Sequence, residues 1–92
     1  MKEPLLSGQV KKLLIAILEG GTLSFTGHAY EEMANDDLTE VDLRNTLRGG
    51  VARPGELRNG TYRYQISTSR MAVVVGFRSE IWAVVVTAWR LR

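Results

Sequence analysis

Apolar positions in the first part of the chain recur with the period of an α-helix. One stripe, spaced i, i+3, i+4, i+7 and i+8, comprises Val10, Leu13, Leu14, Ile17 and Leu18. Ser7 is placed to cap this helix, and Gly20–Gly21 ends it, as glycine does after a last helical turn. Lys11 and Lys12 lie off the stripe, so we expect both ammonium groups to face solvent, with contact to a nucleic acid as the alternative.

A short extended segment at residues 23–25 leads into a second predicted helix, which begins near Thr26. Ala29, Tyr30 and Met33 share its inward side, and the polar residues 35–37 end it. We therefore expect a short amphipathic helix directly after an extended entry.

A third helix opens at Thr39, where Asp42 completes a capping box. Leu38 and Leu43 take the two positions of a hydrophobic staple, and Gly49–Gly50 ends the helix. These signals agree with one another and predict a helix that begins at Thr39 and ends at Gly49–Gly50.

From Val51 onward the period changes to two. Asn59-Gly60 is a strong hairpin signal, and the segment 61–67 places Arg63 opposite Tyr64 on a pleated strand. Residues 71–77 and 81–89 are apolar strands, the last nearly continuous and expected at a central position covered on both faces. The predicted fold is α+β: two or three N-terminal helices followed by a three- to four-stranded antiparallel sheet.

Length and composition limit the possible functions. Residues 1–92 make one domain, divided into an N-terminal helix (1–21) and a core (22–92). Without cysteine and with a single histidine, a protein metal site is improbable, and we expect no metal and no cofactor. The apolar run at residues 13–18 is too short to span a bilayer and no signal-peptide cleavage pattern is present, which favours a cytoplasmic protein without membrane attachment.

Charged residues are distributed unevenly along the chain. From Gly49 to the end there are seven arginines, no lysine and only two acids, Glu56 and Glu80. Guanidinium groups suit phosphate, so an arginine-studded sheet is a candidate nucleic-acid surface, and Arg70, Arg78 and Arg90 are candidate contacts. The alternative is a solvated sheet face that resists edge aggregation.

Candidate chemistry is sparse. His28, the only side chain with an ordinary pKa near neutrality, comes at a predicted helix start, where an anion can bind. Arg63 can clamp a phosphate, whereas Tyr64 is either a core residue or a functional hydroxyl. Thr87 interrupts the last apolar strand and can bond a backbone carbonyl or support a catalytic group.

Four short motifs resemble one family, domain of unknown function 4258. They are Phe25-Thr26-x-His28-Ala29, Leu38-Thr39-x-x-Asp42, Gly60-x-x-Arg63-Tyr64 and Val84-Val85-Val86-Thr87. Members resemble the MqsR, RelE and BrnT toxins, small ribonucleases with helices followed by an antiparallel sheet. The likeness covers residues 23–91.

This resemblance implies a type II toxin that cleaves mRNA and is neutralised by a cognate antitoxin, often one with a zinc finger and a helix-turn-helix. His28, Arg63, Tyr64 and Thr87 match family motif positions and become the candidate catalytic residues. Many members carry arginines where this chain has Glu32 and Asp36, which points to a weakened or inactive variant if those arginines carry catalysis.

Two hypotheses for function follow. The first is metal-independent cleavage of mRNA, in which a ribose 2′-hydroxyl attacks the adjacent phosphate with His28 as acid or base. The second is a non-catalytic module whose arginine-rich sheet binds RNA or an acidic protein segment. A domain that never meets nucleic acid remains a third alternative.

Overall fold

The fold is α+β, as the sequence predicts, but its sheet is larger and mixed. A computed structural model describes residues 1–91; Arg92, the last residue of the predicted core, lies outside the described residues. Within that range there are three helices and six strands: α1 (Ser7–Gly20), β1 (Thr22–Phe25), α2 (Gly27–Asn35), α3 (Glu40–Gly49), β2 (Val51–Ala52), β3 (Glu56–Arg58), β4 (Thr61–Ser67), β5 (Met71–Ser79) and β6 (Trp82–Arg90).

The strand order is β1-β6-β5-β4-β2, with β3 also paired to β4. The predicted antiparallel meander is present as β4, β5 and β6. The predicted strand number was wrong because the short strands β2 and β3 both pair with β4 and because β1 joins β6 in parallel, with Thr22 opposite Trp82 and Phe25 opposite Val85. Partners about sixty residues apart leave no local pattern in the sequence, so the pairing of this short segment is set by tertiary contacts.

Two of the three helices are capped at the residue where the sequence predicts their start. The Thr26 hydroxyl accepts a hydrogen bond from the Ala29 amide at 3.0 Å and caps α2. At α3, Thr39 and Asp42 form the predicted capping box, and the hydrogen bond from the Thr39 amide lowers the pKa of the Asp42 carboxyl. Helix α1 instead begins at Ser7, with Leu6 at the cap position.

Two expectations about side-chain environment were wrong. The Lys11 ammonium does not face solvent alone: it donates to the carbonyls of Leu47 (2.6 Å) and Arg48 (2.8 Å) at the end of α3. Those carbonyls lack helical partners, so a cation there is favourable. Tyr30 is 52% exposed, although its ring lies 5.3 Å from that of Phe25.

The edge of the sheet next to β4 is one interrupted strand. β2 pairs with the end of β4, the Arg53 amide donates to the Gln65 carbonyl at 2.9 Å, and β3 pairs with the start of β4. The register gains one residue at Pro54–Gly55, where a Cβ on Gly55 would lie 2.6 Å from the Tyr64 ring. Pro54 lacks an amide hydrogen, so an edge bulge suits it.

The β3–β4 hairpin has the predicted turn. Asn59 and Gly60 have φ angles of 50° and 80°, and they join the paired residues Arg58 and Thr61. Positive φ at both central positions is the requirement of the type I′ turn that Asn-Gly favours.

The buried side chains form one cluster between the helices and one face of the sheet. Strand β6 is central in the sheet, as predicted, but only one of its faces is buried in this cluster. Ala83, Val85 and Ala88 point into the cluster, whereas Val84 and Val86 are half-buried on the other side. We call that second side, opposite the core, the open face.

A β-bulge interrupts the alternation of β6. Val74 of β5 pairs with Thr87, and Val75 pairs with Val85, so Val86 is the extra residue. Val86 and Thr87 consequently both contribute to the open face. The bulge is also an anchor for α2, because the Thr26 hydroxyl donates to the Val86 carbonyl at 2.9 Å.

Candidate nucleic-acid interface

The open face carries the polar and cationic side chains of the sheet. On β4, Arg63 and Gln65 alternate with the buried Tyr64 and Ile66, as predicted. Register then sets their neighbours: Gln65 pairs with Val74, and Val74 with Thr87. Polar side chains of β4 and β6 therefore flank an apolar strip supplied by β5.

A first cavity, of about 270 Å³, lies over this row of the open face. We call it the Trp89 cavity; it is lined by Arg53, Pro54, Glu56, Arg58, Arg63, Gln65, Val74, Thr87 and Trp89. Three guanidinium groups, one aromatic ring and two neutral hydrogen-bonding side chains surround an apolar floor. That composition suits an anion joined to a flat ring.

A second cavity, of about 400 Å³, lies beside the first and shares Arg63 with it. We call it the Gly76 cavity; it is lined by Thr26, Thr61, Arg63, Gly76, Phe77, Arg78, Val84 and Val86. Arg78 supplies a further cation at this cavity. Arg63 is the residue that lines both cavities.

Much of the positive charge on the open face is not neutralised by salt bridges. Among the described residues, the salt bridges are Arg44–Glu40 on α3 and Arg58–Glu56 at the rim of the Trp89 cavity, at 3.3 Å. Arg53, Arg63 and Arg78 have no carboxylate partner within residues 1–91. An unneutralised guanidinium cluster on a concave surface attracts anions.

Two of the four predicted catalytic residues, Arg63 and Thr87, meet in the Trp89 cavity. His28 is exposed at the start of α2 and lines neither cavity of the open face. It lies two residues after Thr26, which lines the Gly76 cavity and is fixed to Val86. The imidazole is thus accessible and follows a residue anchored to the rim of that cavity.

Tyr64 is not part of this surface. Its side chain is fully buried on the core face, with its ring 5.6 Å from that of Phe77. The hydroxyl donates to Glu3 at 2.7 Å and accepts from the Leu5 amide at 3.0 Å. Burial raises the pKa of Tyr64 to about 12, so the structure gives it the core role that the sequence left open.

The three predicted RNA contacts have different surroundings. Arg78 is exposed and lines the Gly76 cavity. Arg70 is exposed in the turn between β4 and β5 and lines neither cavity. The Arg90 guanidinium donates to the carbonyls of Asp36 and Asp37, each at 3.2 Å, and so ties the end of α2 to β6.

The sequence reasoning missed Arg53 and Trp89 as site residues. Arg53 precedes Pro54-Gly55, which reads as a turn and hides the edge strand. No motif in the sequence singles out Trp89. Trp89 comes two residues after Thr87 in β6. Because side chains alternate between the two faces of a strand, this spacing is the sequence signal that places both residues on the same side.

Between residues 1 and 91, no group of three or more His, Cys, Asp or Glu side chains is arranged to hold a metal ion. In the same range, no helix has the length and apolar character needed to cross a membrane.

Comparison with known proteins adds no relative. The chain matches no protein-family model, no curated protein and no solved structure. The resemblance to the domain of unknown function 4258 family and to the RelE and MqsR toxins therefore stays a prediction from the short motifs.

Proposed function

We propose that this chain is a toxin of the type II class that binds mRNA on the open face and cleaves it without a metal. The observation that carries the proposal is the position of Arg63. Its guanidinium has no carboxylate partner among the described residues and lies where the two cavities meet. A phosphodiester there would contact Arg63 from either cavity.

Charge and shape together favour a polynucleotide over a small anion. Arg53 and Arg78 lie on opposite sides of Arg63, one in each cavity, so the cationic surface is longer than one phosphate needs. Trp89 adds an aromatic ring, on which a base can stack. Backbone cations with an interleaved aromatic side chain are the usual means of holding a single strand.

The proposed reaction needs RNA because the nucleophile is the ribose 2′-hydroxyl. A base removes the hydroxyl proton, the new O2′–P bond forms, and the P–O5′ bond breaks to leave a 2′,3′-cyclic phosphate. An acid gives a proton to the departing 5′-oxygen. Arg63 stabilises the additional negative charge on the phosphate oxygens as it develops.

His28 is the proposed acid or base, on the strength of its imidazole chemistry, its exposure and its neighbour Thr26 at the cavity rim. Thr87 supports the phosphate site from the floor of the Trp89 cavity. Tyr64 has no part in this scheme, because its hydroxyl is bonded to Glu3 and Leu5 on the core face.

The second candidate is a non-catalytic RNA-binding module, and one observation favours it. The only carboxylate that lines either cavity, Glu56, is paired with Arg58, and no histidine lines them. Such a surface is complete for binding without any proton transfer. Both candidates share the open face and differ in whether bound RNA is cut.

A labelled transcript incubated with the purified protein separates the candidates. Cleavage to 2′,3′-cyclic phosphate ends, unchanged by a chelator, supports the toxin; retardation on a gel without shortened products supports the binder. For either one, Arg63→Gln should weaken RNA binding and reduce the slope of log affinity against log salt by about one contact.

Arg48→Gln is the matched control for that variant. Arg48 is an exposed arginine on α3, and its side chain lines neither cavity. Equal RNA affinity of the Arg63 and Arg48 variants would contradict the open-face proposal, and so would wild-type binding that does not respond to salt.

A further inference from the structure

A glycine occupies the middle of the open face, on the central strand β5. Gly76 pairs with Val84 of β6, and its backbone forms part of the wall of the Gly76 cavity. On a pleated strand it takes the outward position between Val74 and Arg78. Strand interiors disfavour glycine, so this position calls for an explanation.

The backbone does not require glycine at this position. Its φ lies outside the left-handed region, and an added Cβ would lie 3.5 Å from the Tyr62 carbonyl oxygen and 3.9 Å from Thr61 Cγ2, which is ordinary contact. A larger residue is therefore sterically possible. What the missing side chain provides is the open space of the cavity.

The dimensions of that space follow from sheet geometry. The strands on either side of β5 are about 10 Å apart, and Val74 and Arg78 are separated by about 13 Å along the strand. Val84 and Val86 make the depression apolar, while Arg63 and Arg78 supply charge at its rim. A flat ring attached to a phosphate matches both properties.

We propose that the Gly76 cavity is a subsite for one unstacked nucleobase of single-stranded RNA. The phosphate that follows this base binds Arg63, and the neighbouring nucleotide stacks on Trp89 in the adjoining cavity. A duplex cannot use the subsite, because its bases are paired and stacked, so the subsite makes the protein selective for single strands. The inference rests on the RNA binding proposed above.

Gly76→Val tests the subsite, because a β-branched side chain suits a strand and fills the depression. The probes are a single-stranded RNA decanucleotide and the duplex made from it with its complement. Wild type should prefer the single strand. Gly76→Val should lose about 5- to 150-fold in affinity for it, the equivalent of one stacked base, with duplex affinity unchanged.

Ser67→Val is the matched control. It places the same β-branched side chain at a half-buried position at the end of β4 that lines neither cavity. This variant should keep the wild-type preference for the single strand. Gly76→Ala, which adds only the sterically accepted Cβ, gives a smaller loss and serves if the valine variant does not fold.

A second measurement does not depend on any substitution in the protein. An oligonucleotide of the same length with abasic sites keeps its phosphates but has no base to insert. Wild type should bind it less tightly than the intact strand. For Gly76→Val the difference between the two strands should be smaller, because only the stacking on Trp89 is then lost; an unchanged difference would contradict the subsite.

The outcomes distinguish this inference from the function on which it rests. If Gly76→Val keeps the single-strand preference while Arg63→Gln loses affinity, the subsite is wrong and RNA binding stands. If wild type binds neither probe, both proposals fail. Equal losses for Gly76→Val and Ser67→Val would also overturn the subsite.

Discussion

The hydroxyl of Tyr64, in the core of the sheet, donates a hydrogen bond to the carboxylate of Glu3 at 2.7 Å. The same oxygen accepts the Leu5 amide at 3.0 Å. The residues before α1 are thus bonded to β4 through one side chain. A tyrosine that the motifs suggested for catalysis joins two parts of the fold that are sixty residues apart.

Tyr64→Phe should lower the free energy of unfolding by about 1–2 kcal/mol, because the Leu5 amide and the Glu3 carboxylate lose their partner. Urea unfolding at neutral pH measures the change. Tyr30→Phe is the control, since the Tyr30 ring is half exposed and its hydroxyl makes no hydrogen bond within residues 1–91. A loss of similar size in both variants would contradict the assignment.

Alkaline pH should remove the same contribution. Burial raises the pKa of Tyr64 to about 12 in the folded state, against about 10 in an unfolded chain. Its stabilisation is therefore complete below about pH 10 and is lost as the pH rises from there towards about 12. Wild type should lose stability over this interval more steeply than Tyr64→Phe; parallel curves would refute the pKa assignment.

Arg90→Gln should affect stability and spare RNA binding. The guanidinium binds two carbonyls at the end of α2, so its loss should cost about 0.5–1 kcal/mol in unfolding free energy. The affinity for a single-stranded RNA should stay near that of wild type, whereas Arg63→Gln should show the reverse pattern. A large drop in affinity for Arg90→Gln at unchanged stability would restore Arg90 as an RNA contact.

His28→Ala should separate cleavage from binding. Loss of a general acid or base costs about 100- to 10,000-fold in rate, while RNA affinity should persist because His28 lines neither cavity. Overproduction of the wild type should arrest bacterial growth, and His28→Ala or Arg63→Ala should relieve the arrest. Glu31→Ala, also exposed on α2, is the control. Folded variants that still arrest growth would rule out both assignments.

Lys11→Met should destabilise the fold by about 1–3 kcal/mol, because two carbonyls at the end of α3 lose their donor. Lys12→Met removes the same charge from the next residue, which is exposed, and should change little. Thermal unfolding of the two variants side by side checks this prediction. Equal midpoints would mean that the carbonyls are satisfied equally well by water.

The parts of the fold that the sequence predicts well are those set by neighbouring residues. The box formed by Thr39 and Asp42 starts α3, and Asn59-Gly60 makes the hairpin, because the partner atoms are only a few residues apart. The pairing of β1 with β6 and the bonding of Tyr64 to Glu3 were not predictable in this way, since each joins distant segments.

The same distinction between local and long-range features applies to the candidate site. Alternation on β4 correctly separates Arg63 from Tyr64, and the charge count shows that the second half of the chain, which forms most of the sheet, is rich in arginine. Counting charges does not show which arginines are already engaged: Arg90 is held by α2, while Arg53 is available beside Arg63. Those distinctions depend on hydrogen bonds and register, which appear only in three dimensions.

The extra residue at Val86 interrupts the pairing of β5 with β6, but it also supplies a hydrogen-bond acceptor for the residue that caps α2. A chain lacking Val86 would pair β5 with β6 without the register shift at Val74 and Val75, with Val85 and Ala88 still inward and Thr87 still outward. It would lose the carbonyl that receives the Thr26 hydroxyl. Shortening this strand by one residue would thus make the β5–β6 pairing regular at this point and, at the same time, remove one of the hydrogen bonds that hold the helix carrying the imidazole against β6.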